Sequence, residues 1–166
     1  KYTKALQQDP ENFDLHFARG CAREGQGDFA GAMADFNECV KLRPDDSSYP
    51  RIYARLLRMR LGEPSAEFPQ AIAGWTEVWV KTVGEFILGQ IDETTLLAAA
   101  EKKDEEPVNG QRCEAYYYIG EMRLLQGDAV GARDAFQKSL ATHQQDYYEY
   151  GFAKFELAQL NLAAKK

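Results

Sequence analysis

Apolar residues recur along the chain at three- and four-residue steps, and nowhere alternate in the two-residue rhythm of a strand. That periodicity predicts an all-α chain. From Asp9 to Pro44 it reads DPENFDLHFARGCAREGQGDFAGAMADFNECVKLRP. Pro10 and Pro44 stand 34 residues apart, each after a helical pattern closing on a small residue and an aliphatic one, Ala5-Leu6 and Cys39-Val40. Helices are predicted over 12–26 and 29–42. Gly27 suits the left-handed end of the first, and Asp28 suits the N-cap of the second. Gly20 and Ala32 mark where the two helices approach too closely for a large side chain. Phe36 fills the space between them and the next unit, and Pro44 stops the second helix.

Residues 1–8 read as the end of a helix, with Tyr2 and Ala5 facing the next unit. Pro50 suits a first helical turn, and that helix runs to Leu61, closed by Gly62. Pro64 and Pro69 then break the pattern, so 63–74 is expected to be short and irregular. Trp75–Leu88 reads as a full helix, with Trp79, Val83, Phe86 and Ile87 on one face and Gly89 as its stop. Asp92 caps a shorter helix over 93–103, with Leu96, Leu97 and Ala100 inward. Lys102–Asn109 reads, with Pro107 and Gly110 as part of it, as a charged turn, and Asp104-Glu105-Glu106 as a solvated loop. Tyr116, Gly120, Gly127-Asp128, Ala132 and Phe136 then repeat His16, Gly20, Gly27-Asp28, Ala32 and Phe36 at an offset of 100 residues. Helices follow over 112–126 and 129–142. Tyr148, Phe152 and Phe155 share a face of a last helix, 147–163, which covers the end of the stack. The chain thus reads as one domain, 1–166: the tail of a repeat (1–10), a full repeat (12–44), degenerate repeats (47–106), a second full repeat (112–144) and the capping helix.

This spacing resembles the tetratricopeptide repeat, a helix–turn–helix unit of about 34 residues. The resemblance implies an α-solenoid, a curved stack of antiparallel helix pairs with an irregular middle. Arg19-Gly20 and Ala34-Asp35-Phe36-Asn37 are similar to a bacterial variant of the repeat. Arg23 departs from it, standing where an aromatic is usual, so a thinner local core is expected. The segments from Trp79-Val80 through Val83-Gly84-Glu85-Phe86 to Leu88-Gly89, Cys113 to Gly120, and Tyr148-Glu149-Tyr150 to Glu156-Leu157 resemble the C-terminal part of NlpI-type bacterial lipoproteins. That likeness implies a periplasmic adaptor tethered to the outer membrane by an upstream lipid anchor, dimeric, bringing envelope enzymes together. Lys1 opens inside a repeat, so upstream repeats and an export signal are expected in the intact protein.

Composition narrows the function. A formal charge of −6 argues against a nucleic-acid binder. No apolar run approaches a membrane span. The three cysteines, Cys21, Cys39 and Cys113, lack metal-site spacing and read as small buried hydrophobes. Of two histidines, His16 sits at the repeat's aromatic anchor position and His143 at a helix end. No nucleophile elbow, zinc-protease motif or phosphate loop is present. No catalytic residue, cofactor or metal is expected, and the chain is not read as an enzyme.

Candidate partner-binding residues fall in two places. Arg51, Arg55 and Arg58 form one stripe on an otherwise apolar helix, at positions that line the concave groove of a repeat array. No acid lies between Asp46 and Glu63 to neutralise them. They suit the carboxylates of an acidic segment or chain terminus; the alternatives are a solvated face or pairing with acids of neighbouring helices. The chaperone-tail clamp of the family is not expected, because its Lys and Asn are replaced by Phe17 and Cys21. Tyr117, with Glu121 one turn later, reads either as a rigid anchor on the inner face or as core covered by the last helix. The function expected is an adaptor binding a partner protein or peptide. The alternatives are a homo-oligomerisation module and, last, an enzyme or small-molecule binder.

Overall fold

Side-chain caps and glycine stops decide where the helices begin and end. The computed structural model describes residues 1–101 and 108–164, and every regular element among them is helical. They are α1 (Tyr2–Gln8), α2 (Phe13–Glu24), α3 (Phe29–Leu42), α4 (Ser48–Leu61), α5 (Glu67–Ala73), α6 (Val78–Ile87), α7 (Glu93–Ala100), α8 (Val108–Leu125), α9 (Ala129–Ala141) and α10 (Tyr148–Ala163). Asn12, Asp28, Asp92 and Asp128 each accept a hydrogen bond from the backbone N–H three residues on, at 2.8–3.0 Å. This satisfies donors a helix start leaves free. At the other ends Gly27, Gly62, Gly89 and Gly127 have φ of 79°, 68°, 72° and 83°. The residue after each donates to the carbonyl five positions back, at 2.9 Å in all four cases. Only glycine takes that turn without strain, so a single residue type sets four helix ends.

The chain forms two compact units, Lys1–Ala71 and a second from Ile72 onward. In the first, α1 packs on α2, α2 on α3 and α3 on α4. Phe36 is fully buried. Its ring lies 6.2 Å from Phe17 and 5.4 Å from Tyr53, so one residue from each of α2, α3 and α4 meets in an aromatic core. Burying side chains of this size contributes on the order of 3 kcal/mol each. In α1 the buried residue is Leu6, while Tyr2 and Ala5 are only half-buried.

In the second unit α8 and α9 pair, and α10 packs on both. The same core recurs: Tyr117 lies 6.2 Å from Phe136 and 5.6 Å from Phe152. Tyr148 stacks on Phe152 at 6.4 Å, and Tyr49 meets Tyr53 at 6.1 Å in a tilted pair. The last helix therefore occupies the place α4 takes after the first full repeat, closing a second copy of the same three-helix arrangement. Its buried face is Glu149, Phe152, Ala153, Glu156 and Leu157. Phe155 is half-buried and Tyr148 exposed, so the face is rotated from the expected one.

Three boundaries differ from expectation. The helix expected from Trp75 starts at Val78. A Cβ on Gly84 would meet Trp75 at 3.0 Å and Ile72 at 2.8 Å, so the Trp75 ring folds back over α6 and the backbone before it stays non-helical. The short helix capped by Asp92 ends at Ala100, with Leu96 and Ala100 fully buried. The helix expected from residue 112 starts at Val108, so Asn109 and Gly110 are helical and not part of a turn. Gly110 lies under the Tyr147 ring, which a Cβ would strike. The acidic run Asp104-Glu105-Glu106 lies outside the described residues.

Candidate partner-binding site

The amphipathic pattern of α4 works out as its residues predict. Ile52, Tyr53, Leu56 and Leu57 are buried, and Arg51, Arg55 and Arg58 are half-buried on the remaining strip. The three arginines line a recess of about 40 Å3 that Asn37 of α3 and Glu67 and Phe68 of α5 complete. Pro64 lies in the loop before α5, and Pro69 sits in the first turn of that helix, where its missing N–H does no harm.

Each guanidinium is held differently. Arg51 Nη2 donates to the Pro44 carbonyl at 3.2 Å. Arg58 Nη1 reaches the Pro64 carbonyl and Glu67 Oε1, both at 3.4 Å. Glu67 thus neutralises part of the stripe, an acid too far along the chain for the local sequence to reveal. Its side chain is 61% exposed, so the pair adds little stability. Arg55 lies 5.8 Å from the centre of the Phe68 ring. Its Nε is buried and has no hydrogen-bond partner among the described residues. A buried cationic donor left unpaired costs free energy, and an acceptor entering the recess would recover it.

Tyr117 and Glu121 have no such opening. Each is 1% exposed. Of the two roles weighed for Tyr117, packing is the one the structure shows: α10 covers it through Phe152, and α9 closes the other side through Phe136. Neither residue offers a partner any surface. The reason lies in α10, whose glutamates at Glu149 and Glu156 turn inward. Glu149 accepts a hydrogen bond from Tyr118 at 3.0 Å, which draws the helix over the tyrosines.

The first repeat also holds a buried polar cluster that the sequence reading missed. Asp35, 2% exposed, accepts from Arg19, from Arg23 Nη1 at 2.8 Å, and meets His16 Nδ1 at 3.2 Å. His16 Nε2 donates to the Pro10 carbonyl at 2.8 Å when that nitrogen carries the hydrogen. Burial pushes the Asp35 carboxyl up, but hydrogen bonds from Arg19 and His16 and the charges of Arg19 and Arg23 outweigh it and hold the group below its ordinary value. Positions 16, 19 and 23 share one face of a helix, and that spacing was the available signal. Arg23 also donates to the Gly31 carbonyl at 3.1 Å, as Arg123 does to Gly131 at 3.2 Å. In the aromatic's place, arginine ties the two helices of each repeat together. This cluster is internal and serves the fold.

Other chemistry is not assembled. Among the described residues, no three His, Cys, Asp or Glu side chains come together to hold a metal ion. Cys21, Cys39 and Cys113 are buried, and burial pushes the Cys39 thiol up to about 12. No described helix is long and apolar enough to cross a membrane.

The family model of the tetratricopeptide repeat matches residues 13–46. The match takes in α2, α3, the Gly27 stop and the Asp28 cap, the elements whose geometry is described above. Residues 13–46 are thus similar to a tetratricopeptide repeat, a unit that generally mediates protein–protein interactions.

Proposed function

We propose that the chain is an adaptor that holds a partner protein through an acidic segment or chain terminus received at Arg51, Arg55 and Arg58. The observation that carries this reading is Arg55, whose buried Nε faces no acceptor while its guanidinium rests against Phe68. The recess has room for on the order of three water-sized spheres, the scale of one carboxylate. Arginine's planar fork suits such a group, and Phe68 supplies an apolar wall for the side chain next to it. Glu67 would be displaced from Arg58 by the incoming acid, an exchange made easy by their long contact.

The resemblance of Trp79–Gly89 and Cys113–Gly120 to NlpI-type lipoproteins supports a periplasmic adaptor, dimeric and tethered through an upstream lipid anchor. Cell fractionation and light scattering on the intact protein test that part. The binding reading is tested with a fluorescently labelled Glu/Asp-rich peptide. Anisotropy should rise saturably with the wild-type chain, weaken as salt is added, and show a clearly lower affinity with Arg55→Glu/Arg58→Glu. Equal binding by the double variant overturns the assignment.

A further inference from the structure

We propose that a second acidic-peptide site lies in the groove between the start of α8 and the end of α9. It shares no residue with the α4 recess and stands independently of it. The groove encloses about 360 Å3 and is lined by Arg112, Tyr116, Lys138, Thr142, His143 and Asn109 among others, with no acidic side chain in its wall among the described residues.

The internal repeat gives a control. One hundred residues earlier, the same positions are Asn12, His16, Glu38, Leu42, Arg43 and Asp9. There the place carries two acids and is filled: Arg43 lies 4.6 Å over the Phe13 ring. His16 is spoken for by Pro10 and Asp35, and Asn12 donates to Asp9 at 2.8 Å. In the second repeat Cys113 replaces Phe13 and turns inward to Ser139, 3.3 Å away, so no ring occupies the space. Arginine replaces Asn12, lysine replaces Glu38 and asparagine replaces Asp9. One copy of the repeat is closed and acidic; the other is open and basic.

The cations are available. Arg112 is half-buried and has no hydrogen-bond or ion-pair partner among the described residues. Lys138 lies 5.9 Å over the Tyr116 ring, and its ammonium reaches Asp134 at 2.8 Å. That contact is an exposed pair four residues apart on one helix, which contributes little, so it yields to a better-placed acceptor. The charge pattern selects an anionic occupant. The open groove, with Tyr116, Asn109 and Thr142 along it, suits an extended segment whose backbone also needs hydrogen bonds. A partner's run of two or three Glu or Asp residues meets both requirements.

The test is an amide-resolved NMR titration of the 166-residue chain with a capped peptide holding three consecutive glutamates between glycines. Amides of Arg112, Tyr116, Lys138 and His143 should shift together and saturate. Arg112→Glu/Lys138→Glu should weaken that affinity roughly tenfold or more while circular dichroism keeps its helical signal. If the reversal loses helix, Arg112→Gln/Lys138→Gln replaces it, with weakening again expected. The proposal is overturned by the absence of a saturable shift, by unchanged affinity in the folded variant, or by equal shifts from the peptide with Gln in place of Glu. Shifts produced by inorganic phosphate but not by the peptide overturn it as well.

Discussion

Arg19 grips both oxygens of Asp35, with Nη2 2.6 Å from Oδ1 and Nε 2.9 Å from Oδ2. The carboxylate is out of water, whereas the Arg19 and Arg23 side chains keep 18% and 31% of their surface exposed. Removing the acid would leave two cations that can reach solvent, so the loss sits at the low end for a broken buried pair. Asp35→Ala should destabilise the first unit by about 3 kcal/mol. Urea unfolding followed by circular dichroism measures it, and a change below the error of the method contradicts the arrangement.

Acid should dissolve the same contact. Asp35 has its folded-state pKa held below the unfolded value. Its stabilisation is complete above the ordinary carboxylate range and is lost as pH falls through the lower folded value. The stability gap between wild type and Asp35→Ala should therefore be constant near neutrality and narrow in acid. A gap that stays constant into strong acid would mean the carboxylate is not what holds Arg19.

Packing at the helix crossings gives a second test. Ala32 and Ala132 are fully buried, and a Cβ on Gly20 would lie 2.7 Å from the Phe36 ring. The crossing has no spare volume in either repeat, since Gly120 faces Phe136 in the same way. Ala32→Trp and Ala132→Trp should each cost about 1–3 kcal/mol. Melting temperatures equal to that of the wild type for both variants would place these residues off the helix contact.

Much of this was legible in the residues. Asp28, Asp128 and Asp92 read as caps and act as caps; Gly27, Gly62, Gly89 and Gly127 read as stops and have positive φ. The offset between the repeats placed Phe36 and Phe136 correctly. What escaped were features set by distant contacts. Gly110 reads as a turn residue because glycine usually is one, yet it is glycine because Tyr147 lies against it. Trp75 fits the helical period of α6 but is pulled out of it by Gly84. The arginine stripe was visible from spacing alone, whereas Glu67 joins it only because α5 folds back.

His143 is the one non-glycine with positive φ among the described residues, at 57°. It ends α9, its N–H donating to Leu140 at 3.1 Å. An L side chain in that conformation costs about 1 kcal/mol, so His143→Gly should raise stability by about that amount. Guanidinium unfolding reads it. A decrease would show that the imidazole makes a contact that outweighs the backbone cost.

The cysteines should be silent. All three are buried, and the Cys39 thiol is pushed up to about 12 by burial, so little thiolate exists at neutral pH. Native protein should react with a thiol reagent only at the rate of unfolding, and all three should react in denaturant. Fast labelling of Cys39 in the native state contradicts its place under α2.

Affinity capture from a native extract, with wild type and Arg55→Glu/Arg58→Glu run side by side, tests the central claim most directly. Bound proteins are quantified by mass spectrometry, and circular dichroism confirms that both baits are folded. The account predicts that partners enriched by the wild type are strongly depleted from the double variant, and that raising salt removes them from the wild type too. Equal recovery of the same partners by both baits would contradict it.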